Sequence, residues 1–166
     1  MQPIITGQGH LPRLGEHERV EVGNILQAQL VELVDLSLLG KQLHWSVVGP
    51  QFRSLHLQLD ELVDSWRELA DTVAERAIAI GTAVDGQARA VAAESLLAPV
   101  EPGAVEDRML VNELAARVAQ TAERTRERAE RASELDPPSE DLLIEVIRAL
   151  EEQLWMVRAQ IPAAGT

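Results

Sequence analysis

Hydrophobic residues return every three or four positions along most of the chain, the period of helices that bury one face. Ile25, Leu26, Val31, Leu33, Val34, Leu38 and Leu39 carry this pattern through a proline-free stretch, and predict a helix A from about Glu16 to Val47. Gly49-Pro50 interrupts it. Proline suits the first position of a new helix, so helix B is predicted from there to Ile80, 31 residues. Gly81 to Gly86 reads as a loop, Gln87 to Leu97 as a short helix, and Pro99 to Gly103 as a second break. Helix C is predicted from Val105 to Leu135, where Asp136-Pro137-Pro138 ends it. Ser139 is the expected cap of helix D, which runs to about Gln160 before Pro162. The expected fold is all-α, a four-helix bundle with a short helix in the B–C connection. Residues 1–15 form an expected irregular arm, 16–161 the bundle and 162–166 a short tail.

Composition narrows the chemistry. Aromatics are confined to Trp45, Trp66, Trp155 and Phe52, and Ala, Leu, Glu, Arg and Val dominate, which argues against an all-β fold. With no cysteine, disulfides, thiolate nucleophiles, cysteine-ligated zinc and iron–sulfur clusters are excluded, so any metal must be held by histidine and carboxylates. The net charge of −12 and a single lysine, Lys41, disfavour phosphate backbones and favour cationic partners, metal ions included. A basic and apolar leader is missing and no apolar run approaches the ~18 residues of a membrane span, so a cytoplasmic protein without membrane contact is expected. The Glu/Arg-interleaved stretch from Arg117 to Glu134 reads as a solvated helix face without chemistry.

Helix B carries His56 and Asp60 four residues apart, then Asp71 and Glu75 four apart again. All four fall within about 100° of arc, opposite Leu55, Leu59, Leu62, Trp66, Leu69, Val73, Ala77 and Ile80, so the polar stripe faces away from the core. Asp60 and Asp71 are about 16 Å apart along a helix, too far for one metal centre. The two pairs are nevertheless centred on one point between Ser65 and Trp66. A second copy of helix B, antiparallel across a two-fold axis there, would bring His56 to the partner's Glu75 and Asp60 to the partner's Asp71, making two identical sites. The same symmetry sets Asp64 against the partner's Arg67. Such nitrogen- and oxygen-rich sites suit Fe(II), Mn(II) or Zn(II), and His44 at the end of helix A could supply a third imidazole. The competing reading is a merely hydrated helix face on an acidic scaffold.

Lys41-Gln42-Leu43-His44-Trp45, followed by Phe52, Leu55-His56, Asp60, Asp71 and Ala74-Glu75-Arg76, closely resembles the motif of the Dps family, the DNA-binding proteins from starved cells or miniferritins. Leu150 to Trp155 continues the likeness more weakly. The resemblance implies a ferritin-like subunit in a hollow dodecamer that oxidises Fe(II), preferably with hydrogen peroxide, and stores the ferric mineral. It implies His44, His56 and Asp60 as iron ligands from one subunit and Asp71 and Glu75 from its partner. Trp45 resembles a tryptophan that accepts oxidising equivalents, with core packing as its other role. DNA binding through a lysine-rich arm does not carry over, since residues 1–12 and 161–166 hold no Lys or Arg. His10 and His17 could form a second metal site, and Asp136, Glu140, Asp141 and Glu145 could line an acidic pore on a three-fold axis. Compaction of the nucleoid remains the alternative function.

Overall fold

The computed structural model describes residues 12–161, so most of the expected arm and all of the tail lie outside it. Among the described residues five helices and two short strands follow one another: α1 (Glu16–Ser46), β1 (Val47–Val48), α2 (Phe52–Ala79), α3 (Ala88–Glu94), β2 (Val105–Glu106), α4 (Asp107–Ser133) and α5 (Pro137–Arg158). The four long helices pack as two antiparallel hairpins, α1 with α2 and α4 with α5, while α3 lies against α1. This is the expected all-α bundle with a short helix between its halves.

The core is built from the apolar stripes read in the sequence. Leu55, Leu59, Trp66 and Val73 of α2 meet Leu33 and Leu43 of α1 and Leu110 and Leu114 of α4, all nearly fully buried. Each such side chain contributes about 1.5–3 kcal/mol by leaving water. Trp66 also donates from Nε1 to Gln153 Oε1 at 2.7 Å, and Gln153 donates on to Ser65 Oγ at 3.0 Å, so the buried polar edge of the indole is satisfied by α5.

Several boundaries differ from expectation. α2 begins at Phe52 rather than Pro50, because Val47–Val48 leave the helix to pair in parallel with Val105–Glu106. That ladder also delays α4 to Asp107. The corner turns at Gly49, whose φ of 124° suits glycine, and an added Cβ there would lie 2.7 Å from Asp107 Oδ2. Asp107 in turn accepts the Gln51 N–H at 2.8 Å. The short helix is trimmed to Ala88–Glu94. Ser139 lies inside the first turn of α5, and Asp136 takes the cap position instead. Leu38, part of the apolar pattern that predicts helix A, is 53% exposed because α1 turns that face outward.

α1 corrects two further expectations. It holds an 18-residue window of mean hydropathy 1.3, long and apolar enough to span a membrane, although 67% of that window is buried inside the bundle. It also carries Glu32, 1% exposed, which receives Arg124 Nε at 2.5 Å and Arg128 Nη1 at 2.9 Å. Gln29 Oε1 accepts from the same Arg128 nitrogen at 2.9 Å. Arg117 is buried as well, donating to the carbonyls of Ala98 and Pro99 and so pinning the α3–α4 connection. The Arg117–Glu134 stretch is thus only half a solvated face, because three of its arginines reach inward to acceptors distant in sequence.

Removing Glu32 leaves two inward guanidinium groups without their counter-charge. Glu32→Ala should lower the folding free energy by about 3–5 kcal/mol, read as a lower urea midpoint. Glu151→Ala, which breaks the exposed pair with Arg126, should cost less than about 1 kcal/mol.

Candidate metal centre

The corner between α1 and α2 folds His44, in the last turn of α1, over His56, in the second turn of α2. Their rings stack with centroids 3.6 Å apart, and Phe52 flanks His56 at 5.1 Å. His44 Nδ1 bonds the backbone carbonyl of His56 at 2.9 Å, and His56 Nδ1 bonds that of His44 at 3.0 Å. A carbonyl can only accept, so both Nδ1 atoms donate, which leaves each Nε2 as the nitrogen free to ligate. Reciprocal bonding of this kind fixes tautomer and orientation, as metal-binding imidazoles require. Asp60, one turn after His56, joins them: His44, His56 and Asp60 each bring a ligand atom to within 4.8 Å of the others. His44 is buried, whereas His56 and Asp60 are half-buried, so the group opens at the surface.

Asp71 and Glu75 are exposed on the same face of α2. The helix carries them about 16 Å or more from Asp60, so one chain gathers three of the five residues expected from the sequence and not the other two. Asp71 borders a groove between α1 and α2 together with Leu30, Val34, Leu38, Ala70 and Ala74.

The chain as a whole has counterparts among known proteins. The ferritin-like domain family matches residues 23–163. The DNA protection during starvation protein of Mycolicibacterium smegmatis is 34% identical over 157 residues, covering 93% of this chain and 85% of its own length. The chain belongs to the Dps family. Among solved Dps structures, DpsA14 from Streptomyces coelicolor matches with a TM-score of 0.89 at 34% identity, over 97% of this chain and 96% of that one. The tetragonal form of Mycobacterium smegmatis Dps matches at 0.90 and 32% identity, over 95% and 97%. The bundle is therefore ferritin-like, as the resemblance implied.

One participant, named in the sequence only as the single lysine and as part of the motif, was not assigned to the site. Lys41 lies one turn before His44, and its Nζ reaches Asp60 Oδ1 at 2.5 Å. The same Asp60 oxygen is 3.4 Å from His44 Nδ1. Hydrogen bonding from the lysine, more than any other cause, holds the Asp60 carboxyl below the ordinary carboxylate range. The three-residue spacing of Lys41 and His44 could have revealed the lysine, since it sets both on one face of α1.

Other expectations fare unevenly. Trp45 is 70% exposed, which rules out packing in the core of its own subunit. Asp64 Oδ1 and Arg67 Nη1 lie 3.7 Å apart within the chain, so each already has an intramolecular partner. His17 is exposed in the first turn of α1, while His10 lies outside the described residues. Asp136 does not fit an acidic pore lining, because it is 6% exposed and engaged by Arg76 Nη2 at 2.5 Å and by the Ser139 hydroxyl. Glu140 is half-buried, and Asp141 and Glu145 are exposed at the start of α5.

Burial alone would raise the Asp136 carboxyl, but Ser139 and Arg76 outweigh it and hold it below its ordinary value. A depressed folded-state pKa adds stability above the ordinary carboxylate range, and that stability is lost as pH falls through the depressed value. Asp136→Asn should therefore be about 1–3 kcal/mol less stable than the parent at neutral pH. Urea midpoints measured at decreasing pH should show the gap closing once both side chains are neutral.

Proposed function

We propose that this Dps protein is a miniferritin that oxidises Fe(II) with hydrogen peroxide and stores the ferric product inside a hollow shell, a dodecamer of identical subunits in the cytoplasm. The observation that carries this reading is the convergence of His44, His56 and Asp60 within 4.8 Å on an open corner. Its donors are imidazole nitrogen and carboxylate oxygen, which suit Fe(II) while leaving coordination positions for an oxidant. Asp71 and Glu75 of an antiparallel second copy complete the site, and that copy covers the groove beside Asp71.

In this reading Fe(II) is the substrate. Two Fe(II) ions each give one electron to hydrogen peroxide; the O–O bond breaks, two protons are taken up and two waters form. Asp60, Asp71 and Glu75 supply negative charge that favours the ferric state as each electron leaves, and the Nε2 atoms of His44 and His56 hold the metal in place. Trp45, exposed beside His44, takes up an oxidising equivalent that escapes the pair in this reading. The product is ferric iron, which hydrolyses to mineral, so damaging peroxide chemistry is suppressed as iron is stored.

The division of ligands between subunits gives the decisive experiment. His56→Ala and Glu75→Ala should each abolish most rapid Fe(II) oxidation, followed at the ferric charge-transfer band. Unfolding and reassembling equal amounts together makes about half the two-fold pairs hybrid, and one site in each hybrid pair inherits neither lesion. About a quarter of sites should revive. No recovery in hybrids of normal size would overturn the shared site.

Nucleoid compaction is disfavoured by the net charge of −12 and by the pairing of the sole lysine with Asp60. Counterion release then contributes little, so DNA retardation near 150 mM salt should be weak or absent in a gel-shift assay at about that ionic strength.

A further inference from the structure

The contact between Lys41 and Asp60 sets a cation on one of the three candidate ligands. Lys41 Nζ is 2.5 Å from Asp60 Oδ1, the same oxygen that approaches His44 at 3.4 Å. One carboxylate oxygen is thus held by the ammonium and lies close to His44. A metal that binds His44, His56 and Asp60 through this oxygen must take it from the lysine or share it. Both side chains of the ion pair are partly open to solvent, 24% exposed for Lys41 and 44% for Asp60, so the lysine has an outward path.

Resting on the metal-centre reading above, we infer that Lys41 is a displaceable counter-charge that holds Asp60 in its ligating position before metal arrives and keeps the bound metal weakly held afterwards. An ammonium on a four-carbon stem suits this role better than a guanidinium, whose planar fork would grip the carboxylate through two parallel bonds and yield less readily. All other cationic side chains of Lys and Arg type in this chain are arginines. The swung-out ammonium stays tethered three residues from His44 and repels a divalent ion in the site. Iron loading is then an exchange of one cation for another, and the site favours passage over retention. Lys41 is a positioning residue: it acts on the metal through Asp60 and through its charge, without ligating it.

Zn(II), which undergoes no redox chemistry, is the probe. Its affinity is measured on the assembled protein by competition with a chromophoric chelator, counting only the component that His56→Ala removes. At about 10 mM ionic strength Lys41→Met should bind Zn(II) about tenfold more tightly than the parent, and the difference should shrink at about 0.5 M, where charge is screened. Lys41→Arg keeps the charge, so its affinity should stay at or below that of the parent. Unchanged or weaker binding by Lys41→Met, in particles of normal size, would overturn the inference while leaving the metal centre intact. Equal tightening by Met and Arg would also overturn it, since packing rather than charge would then be responsible. If His56→Ala left Zn(II) binding untouched, the metal centre itself would fail and the inference with it.

Discussion

At Gly40 the backbone of α1 packs so closely on side chains of α2 that an added Cβ would lie 2.7 Å from Trp66 Cζ3 and 2.7 Å from Val63 Cγ2. Everything at the corner depends on this approach. It lets the indole of Trp66 lie flush in the core, where Gln153 of α5 receives its N–H. It also fixes how far α2 can slide along α1. At the next residue of α1 and one turn beyond, that register decides whether Lys41 reaches Asp60 and whether His44 stacks on His56. A larger residue at position 40 would push the helices apart and loosen both contacts at once, without touching a ligand.

The corner itself is held from a distance. β1 pairs with β2, and Asp107 at the start of α4 accepts the Gln51 N–H. The second half of the bundle thereby clamps the turn that presents the two histidines. Arg117 completes this arrangement by fastening the α3–α4 connection to α4 through the carbonyls of Ala98 and Pro99. Geometry at the metal centre is thus maintained by residues more than fifty positions away in the chain, while the ligands themselves are local.

What was legible in the sequence divides along the same line. Helical periodicity located all five helices and the buried face of α2, because amphipathic spacing is a local signal. The stripe of His56, Asp60, Asp71 and Glu75 was legible for that reason too. The two-residue ladder was not, since Val47–Val48 continue the apolar pattern of α1 and only their pairing partner sets them apart. Nor was the inward turn of Arg124 and Arg128, because an arginine between glutamates looks solvated until Glu32 is known to be buried opposite. Lys41 was passed over as a lone cation, although its distance to Asp60 is what gives it meaning. Asp136 read as an acidic surface group, and its burial follows from Arg76, sixty residues earlier.

The apolar character of α1 has a consequence for how the chain acquires its structure. Of the long helices, α1 alone has a stretch that meets the length and hydropathy of a membrane span, and it precedes the partners that cover it. Until α2 folds back across it, that surface is available for wrong associations, with lipid or with other unfinished chains. The hairpin is the quickest remedy, because α2 follows after a turn of only a few residues and closing a short loop costs little entropy. Buried Glu32 then adds a check on quality: a polar group midway along α1 is stable only after α4 arrives with its arginines. A half-built bundle therefore carries an uncompensated charge in its midst, which disfavours stopping there.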